Sequence, residues 1–191
     1  MQLVTAYRRF YISMKYYKYL DLDWQPAAIK LKEYILTVNR AILANPKSTS
    51  WKPTDLGEVL AYAPELIDMV KPLNITIRYL AFFVSDYKQG TLHIDADLYS
   101  KCRINIPILN CENTETRFFE TTADPIKTLQ PNGVPLYNLD PSKCKQVDQL
   151  YLTQAVVFRN NAPHQVVSSN PNLPRISCTM GFNEDIEYLL E

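Results

Sequence analysis

After Pro72 the sequence consists of short runs rich in Ile, Tyr, Phe, Val and Thr, with turn residues between them. Such runs are typical of antiparallel strands, because β-branched and aromatic side chains fit a pleated surface. About seven strands are predicted in this part of the chain. They cover residues 74–85, 91–97, 102–109, 114–122, 151–158, 164–168 and 175–182.

The residues before Pro72 predict helices instead. Apolar side chains recur at three- and four-residue steps over residues 26–44, and Pro26 suits a first helical turn. Thr54-Asp55 is a suitable cap for a second helix, and Pro64 can begin a third. Helices gathered on one side of an antiparallel sheet system favour a mainly β fold with N-terminal helices, an α+β or jelly-roll architecture.

The length of the chain and its charge limit the organisation further. A chain of 191 residues can bury one sizeable core, so we expect a single domain over residues 1–191, with an arm and helices in 1–72 and a β core in 73–191. The formal net charge of +0 provides no field that would attract nucleic acid. We therefore interpret the basic, tyrosine-rich segment 1–23 as an edge strand or arm with its tyrosines on the core. A proline-rich stretch, 124–144, is expected to be a long ordered insertion bordering a binding site.

The glycines and cysteines exclude several classes of protein. The chain has 4 glycines, each more than 30 residues from the next. Phosphate-binding loops, dinucleotide-binding turns and nucleophile elbows all need clustered glycines. The 4 cysteines form no CxxC pair and are expected to be reduced thiols of a cytoplasmic protein. No apolar run approaches the roughly 20 residues of a membrane helix, so no membrane partner is expected.

Two histidines and an aspartate form a candidate metal site. In a strand over 93–95, a period of two places His93 and Asp95 on one face. His164, from a strand far along the chain, would complete the two-histidine, one-carboxylate set that holds non-haem Fe(II) and leaves positions open. Asp97 shares the same face and is an alternative ligand. We favour Asp95, because one intervening residue lets both side chains reach one metal without bending the strand.

A second polar group is predicted on two other strands. In the strand over 175–182, Arg175 and Ser177 share one face, and apolar residues occupy the other. By the same alternation, Arg103 and Asn105 point to the polar side of their strand. An arginine beside a hydroxyl is suited to a ligand with two carboxylates, since a guanidinium can donate two parallel hydrogen bonds to one of them.

The HxD at 93–95, the distant His164 and the RxS at 175–177 resemble the signature of the Fe(II)/2-oxoglutarate-dependent oxygenases. Within that superfamily, the segment from His93 to Cys111 is similar to small microbial and phage-encoded hydroxylases related to prolyl and aspartyl/asparaginyl hydroxylases. The resemblance covers the strand-rich part, roughly residues 74–182. Aspartyl β-hydroxylases proper lack the metal carboxylate, and many prolyl hydroxylases use lysine where this chain has Arg175, so the chain departs from both narrower groups.

The resemblance implies a double-stranded β-helix, a jelly roll of the cupin-like kind. It also implies Fe(II) on His93, Asp95 and His164, and 2-oxoglutarate as cosubstrate. Arg175 and Ser177 would bind the 2-oxoglutarate, with Asn105 added by the strand-face pattern.

The implied reaction uses dioxygen to hydroxylate an unactivated C–H bond of a small molecule or peptidyl residue, with release of succinate and CO2. Two alternatives remain open. One is a cupin-like metal-dependent dioxygenase or isomerase that does not use 2-oxoglutarate, and the other is a non-catalytic binding module on the same fold.

Overall fold

The computed structural model describes residues 15–43, 50–85, 89–95, 101–129, 135–169, 172 and 174–191. Within these residues the α-helices are α1 (Gln25–Glu33), α2 (Leu56–Tyr62) and α3 (Glu65–Val70). The strands are β1 (Tyr17–Tyr19), β2 (Ser50–Pro53), β3 (Ile77–Ser85), β4 (His93–Asp95), β5 (Cys102–Leu109), β6 (Thr114–Thr121), β7 (Ile126–Leu129), β8 (Pro135–Asn138), β9 (Cys144–Tyr151), β10 (Val156–Arg159), β11 (His164–Ser168) and β12 (Arg175–Phe182). Among the described helices, none combines the length and apolar composition needed to cross a bilayer.

The strands form two six-stranded antiparallel sheets. The major sheet has the order β1-β10-β5-β12-β3-β2, and the minor sheet has the order β7-β8-β4-β11-β6-β9. From β3 onward the chain passes back and forth between the sheets, except for β7, β8 and β9, which follow β6 within the minor sheet. Phe118 of the minor sheet and Phe158 of the major sheet belong to one buried cluster, so the two sheets pack against each other.

The two faces of the major sheet have different partners. The outer face packs on the helices and forms the main core, whereas the inner face is turned toward the minor sheet. Five outer-face side chains on β5 and β12 are at most 1% exposed: Ile104, Ile106, Ile176, Cys178 and Met180. They share a cluster with Leu31 of α1 and Leu66 of α3. Burial of this apolar surface is the main favourable term in folding.

The predicted helices are present, although the first is shorter than expected. It ends at Glu33 as an α-helix, and a π-helical turn over Tyr34–Val38 and a 3-10 turn over Arg40–Leu43 follow. Between these two turns, Asn39 leaves helical geometry, with φ −118° and ψ 64°. The cap of α2 is confirmed, because the Asp55 carboxylate accepts a hydrogen bond from the backbone N–H of Glu58 at 3.0 Å.

Three predicted strands, 102–109, 164–168 and 175–182, coincide with β5, β11 and β12. The single strand predicted over 151–158 is wrong. Tyr151 ends β9 in the minor sheet and Val156 begins β10 in the major sheet, so the chain changes sheets between them. The expected insertion, 124–144, contains the paired strands β7 and β8, and β8 also pairs with β4.

Tyrosines of β1 cover the free edge of β9. The Tyr19 hydroxyl accepts a hydrogen bond from the backbone N–H of Tyr151 at 3.1 Å and donates one to its carbonyl at 2.7 Å. The Tyr17 hydroxyl donates to the Gln149 carbonyl at 2.9 Å. This tyrosine clasp joins the edge strands of the two sheets. The predicted edge strand at the N-terminus is therefore present as β1, while residues 1–14 lie outside the described residues.

Candidate metal centre

The fold brings the two histidines and the aspartate together. His93 and Asp95 lie on one face of β4, as the period of two predicts, and His164 on β11 is the cross-strand partner of His93. One ligand atom from each of the three side chains lies within 4.8 Å of the other two. Side chains separated by about 70 residues in sequence thus converge because β4 and β11 are neighbours in the minor sheet.

Backbone carbonyls fix the orientation of both imidazole rings. The Nδ1 atom of His93 lies 2.8 Å from the Thr91 carbonyl, and that of His164 lies 2.9 Å from the Ala162 carbonyl. Because a carbonyl can only accept a hydrogen bond, each Nδ1 must carry the proton, and the neutral ring has its lone pair on Nε2. Metal-binding histidines are commonly held in this way, with the second nitrogen donating to a fixed acceptor.

Arg103 reaches the carboxylate from the opposite sheet. Its Nη1 lies 3.3 Å from Asp95 Oδ2, whereas Asp95 Oδ1 lies 3.3 Å from His93 Nε2. The side chains of Arg103 and Asp95 are only 10% and 14% exposed, so the ion pair is weakly screened by solvent. Each carboxylate oxygen therefore has its own neighbour, and Oδ1 is the one beside the His93 imidazole.

The surroundings set the charge of each candidate ligand. Burial by itself would raise the pKa of Asp95, but the Arg103 guanidinium, followed by His93, outweighs burial and holds that pKa far below its ordinary value. Burial, and then repulsion from His93, lowers the pKa of His164 to about 4. Burial also favours neutral His93, yet the hydrogen bond that protonated His93 donates to Asp95, together with the charge of Asp95, raises the pKa of His93 above the ordinary value. At neutral pH, Asp95 is therefore ionised and His164 is neutral.

The donor set fits a divalent transition metal. Two imidazole nitrogens and one carboxylate oxygen suit iron and its neighbours, and three protein ligands leave open positions for other molecules. The His164 ring lies 5.8 Å from the Phe158 ring and 6.5 Å from the Phe118 ring, centroid to centroid, so one side of the cluster is apolar. The arrangement thus offers three ligand atoms to a metal ion at a place partly shielded from water.

The second predicted group lies on the inner face of the major sheet. Arg175 and Ser177 of β12 are 4% and 1% exposed. Asn105 of β5 lies opposite Thr179 of β12. Three polar atoms here are buried without a hydrogen-bond partner among the described residues: Asn105 Oδ1, Arg175 Nε and Thr179 Oγ1. Buried polar groups are normally satisfied, so unpartnered atoms on one sheet face indicate a place for a polar ligand.

The ion pair between Arg103 and Asp95 was not predicted from the sequence. Strand alternation places Arg103 on the polar side of its strand, but the pair crosses from one sheet to the other. The alternative ligand, Asp97, lies outside the described residues.

No protein-family model and no curated protein matches the sequence. Among solved structures, a Pseudomonas putida prolyl-4-hydroxylase is similar at 15% identity and a TM-score of 0.43, over 87% of this chain and 91% of that chain. The hydroquinone 1,2-dioxygenase PnpCD, solved with Cd2+ and 4-hydroxybenzonitrile, is similar at 10% identity and a TM-score of 0.33, over 56% of this chain. This chain spans 58% of the length of that dioxygenase chain.

Proposed function

We propose that this protein is an Fe(II)- and 2-oxoglutarate-dependent dioxygenase. It hydroxylates an unactivated C–H bond of an amino acid or peptidyl residue and releases succinate and CO2. One observation carries the proposal: ligand atoms of His93, Asp95 and His164 converge, and backbone carbonyls engage Nδ1 of both imidazoles, so that Nε2 would be the metal-binding nitrogen of each. A facial set of this composition with open positions is the hallmark of non-haem Fe(II) oxygenases.

The strand order supports a jelly roll of the double-stranded β-helix type. Four strands of the major sheet, in the order β10-β5-β12-β3, face four strands of the minor sheet, in the order β4-β11-β6-β9. Consecutive strands of this set lie in opposite sheets except for β6 and β9, which pair with each other. Arg175 lies on the inner face of the major sheet, the face that is turned toward the minor sheet with its His93, Asp95 and His164.

Different residues would bind the metal and the cosubstrate. His93, Asp95 and His164 would hold the iron, which when bound supplies the oxidising chemistry that no side chain can provide. Arg175 would donate two hydrogen bonds to the far carboxylate of 2-oxoglutarate, and Ser177 a third. Asn105 would orient the same molecule through its amide. Phe118 and Phe158 keep water from one side of the centre, which strengthens the polar contacts inside it.

Anaerobic titration of the Fe(II)-loaded protein with 2-oxoglutarate tests the proposal. We expect a visible charge-transfer band, because the keto and carboxylate oxygens of the oxoacid would chelate the metal. His164→Ala should lose the metal and the band together. Arg175→Met should keep the metal, because Arg175 is not a ligand, and should weaken 2-oxoglutarate binding by roughly 10-fold to 100-fold, the loss expected for hydrogen bonds to a charged group.

Arg159→Met is the matched control for Arg175→Met. Arg159 is also a buried arginine of the major sheet, but it pairs with Glu187 and the Lys15 carbonyl instead of pointing to the inner face. The control should leave oxoacid binding unchanged. Metal uptake without any band would contradict the use of 2-oxoglutarate and would favour a cupin-like metal enzyme. Protein that takes up no Fe(II) or Co(II) would contradict the whole proposal. A succinate-release screen of free amino acids and short peptides then tests the substrate class.

A further inference from the structure

Gly181 provides space for an aromatic ring on the inner face. It pairs with Tyr79 across β12 and β3. A Cβ atom at position 181 would overlap Cε1 and Cζ of the Tyr79 ring. Only glycine lets the ring lie this close to the backbone of β12. The Trp51 ring contacts Tyr79 edge-on at 6.2 Å between centroids, which fixes the ring from another side.

The Tyr79 ring in turn lies against Arg103. The Cζ atom of Arg103 is 5.9 Å from the centroid of the ring, within the range of a cation–π contact. Nη1 of the same guanidinium lies 3.3 Å from Asp95 Oδ2. Arg103 therefore contacts both an aromatic ring and a carboxylate, and Gly181, Tyr79, Arg103 and Asp95 form a continuous series of contacts from the major sheet to the candidate metal centre.

We propose that Gly181, Tyr79 and Arg103 form a positioning relay that holds Asp95 as a one-oxygen metal ligand. The inference rests on the proposed function for the presence of the metal. Oδ2 lies beside the guanidinium, and Oδ1 is the oxygen that lies beside the His93 imidazole. The relay thereby keeps a coordination position open that a carboxylate binding through both oxygens would fill. None of the three relay residues is a catalytic residue, because each acts through Asp95.

Co(II) titration of the purified full chain tests the relay, with the visible d–d spectrum as the readout. Arg103→Gln should weaken Co(II) binding about 10-fold to 100-fold, as loss of an outer-shell partner typically does. It should also change the band intensities, because Asp95 is then free to bind through both oxygens. Arg103→Lys keeps the charge and should restore part of the affinity. Arg159→Gln, the control on the outer side, should leave affinity and spectrum unchanged.

A double-variant cycle tests whether Gly181 acts through Tyr79. Gly181→Ala should displace the Tyr79 ring. The Co(II) spectrum should then change in the same direction as in Arg103→Gln, by a smaller amount. Tyr79→Leu should do the same, whereas Tyr79→Phe keeps the ring and should resemble the wild type. In the Tyr79→Leu background, Gly181→Ala should have little further effect on Co(II) affinity, because the ring it displaces is already gone.

The outcomes separate failure of the relay from failure of the proposed function. If the wild type binds Co(II) and Arg103→Gln has the same affinity and spectrum, the relay is wrong and the metal site stands. If Gly181→Ala fails to fold, Tyr79→Leu and Tyr79→Phe by themselves test whether the Tyr79 ring is needed to hold Arg103. If the wild type itself binds no Co(II), the metal site fails, and the relay fails with it.

Discussion

The inner and outer faces of the major sheet are formed by the same strands, and both are shielded from water, yet they differ in chemistry. Along residues 175–180 of β12, polar side chains on the inner face alternate with apolar ones on the outer face, and none is more than 4% exposed. Apolar contacts on the outer face stabilise the fold. Unpartnered polar atoms on the inner face destabilise it by roughly 1–3 kcal/mol each. One face therefore stabilises the fold, and the other holds buried polar atoms that have no hydrogen-bond partner among the described residues.

The largest effect is expected on the outer face. Ile106→Ala removes a fully buried side chain from the core between β5 and the helices. The free energy of unfolding should fall by about 2–5 kcal/mol, through lost burial and the cavity left behind. Urea denaturation measures the loss, and the Co(II) spectrum of the folded variant should match the wild type. A loss of less than about 1 kcal/mol would mean that the outer face is not the main stabilising surface.

The next effect concerns the pH dependence of metal binding. The pKa of His93 is raised by Asp95, so its proton competes with a metal ion as the pH falls toward and below that pKa. Metal affinity should then decrease about tenfold per pH unit, or ~1.4 kcal/mol. His164, with its pKa lowered to about 4, should add a second proton only near that pH. Co(II) titrations between pH 5 and 8 check this, and an affinity independent of pH would refute the assignment of His93.

A smaller effect of opposite sign is expected on the inner face. Thr179→Val replaces a buried hydroxyl that has no partner among the described residues by a methyl group of similar size. The variant should be more stable by about 1 kcal/mol. Thr114→Val is the matched control, because the Thr114 hydroxyl donates to Ser168 Oγ at 3.1 Å and its loss should destabilise. Equal destabilisation of both variants in urea would show that Thr179 is satisfied and that the inner face carries no unmet polar group.

The smallest effect is the absence of thiol reactivity on the outer face. Burial raises the pKa of Cys102 to about 12 and also raises the pKa of Cys178, so neither forms the reactive thiolate at pH 8. With a thiol reagent under native conditions, Cys144 should react because it is partly exposed. Labelling followed by mass spectrometry distinguishes the sites. Rapid native labelling of Cys178 would show that the outer face opens to solvent.

Much of the β architecture could be predicted from the sequence. Alternation of polar and apolar residues over β5 and β12 specifies both faces, because a strand has a period of two. The prediction failed over 151–158, since the turn at residues 152–155 contains neither glycine nor proline to mark it. It also missed β7 and β8 within the proline-rich stretch. Proline is tolerated at the start of a strand, and β8 begins with Pro135.

The candidate site was predictable where it depends on local spacing. A period of two places His93 beside Asp95, and the same period directs Arg175 and Ser177 to one face. The approach of Arg103 to Asp95 depends on how the two sheets pack, and the position of Tyr79 depends on the space above Gly181. Neither contact leaves a pattern in the sequence, because the residues involved lie in different strands and their spacing is unrelated to any local period.

The tyrosine clasp has a consequence for self-association. By occupying the backbone groups of Tyr151, it removes the hydrogen-bonding edge to which another extended chain could attach at that seam, and so opposes self-association there. It also ties the outermost strands of the two sheets to each other, so this side of the sandwich cannot open without breaking the hydrogen bonds to Tyr151 and Gln149.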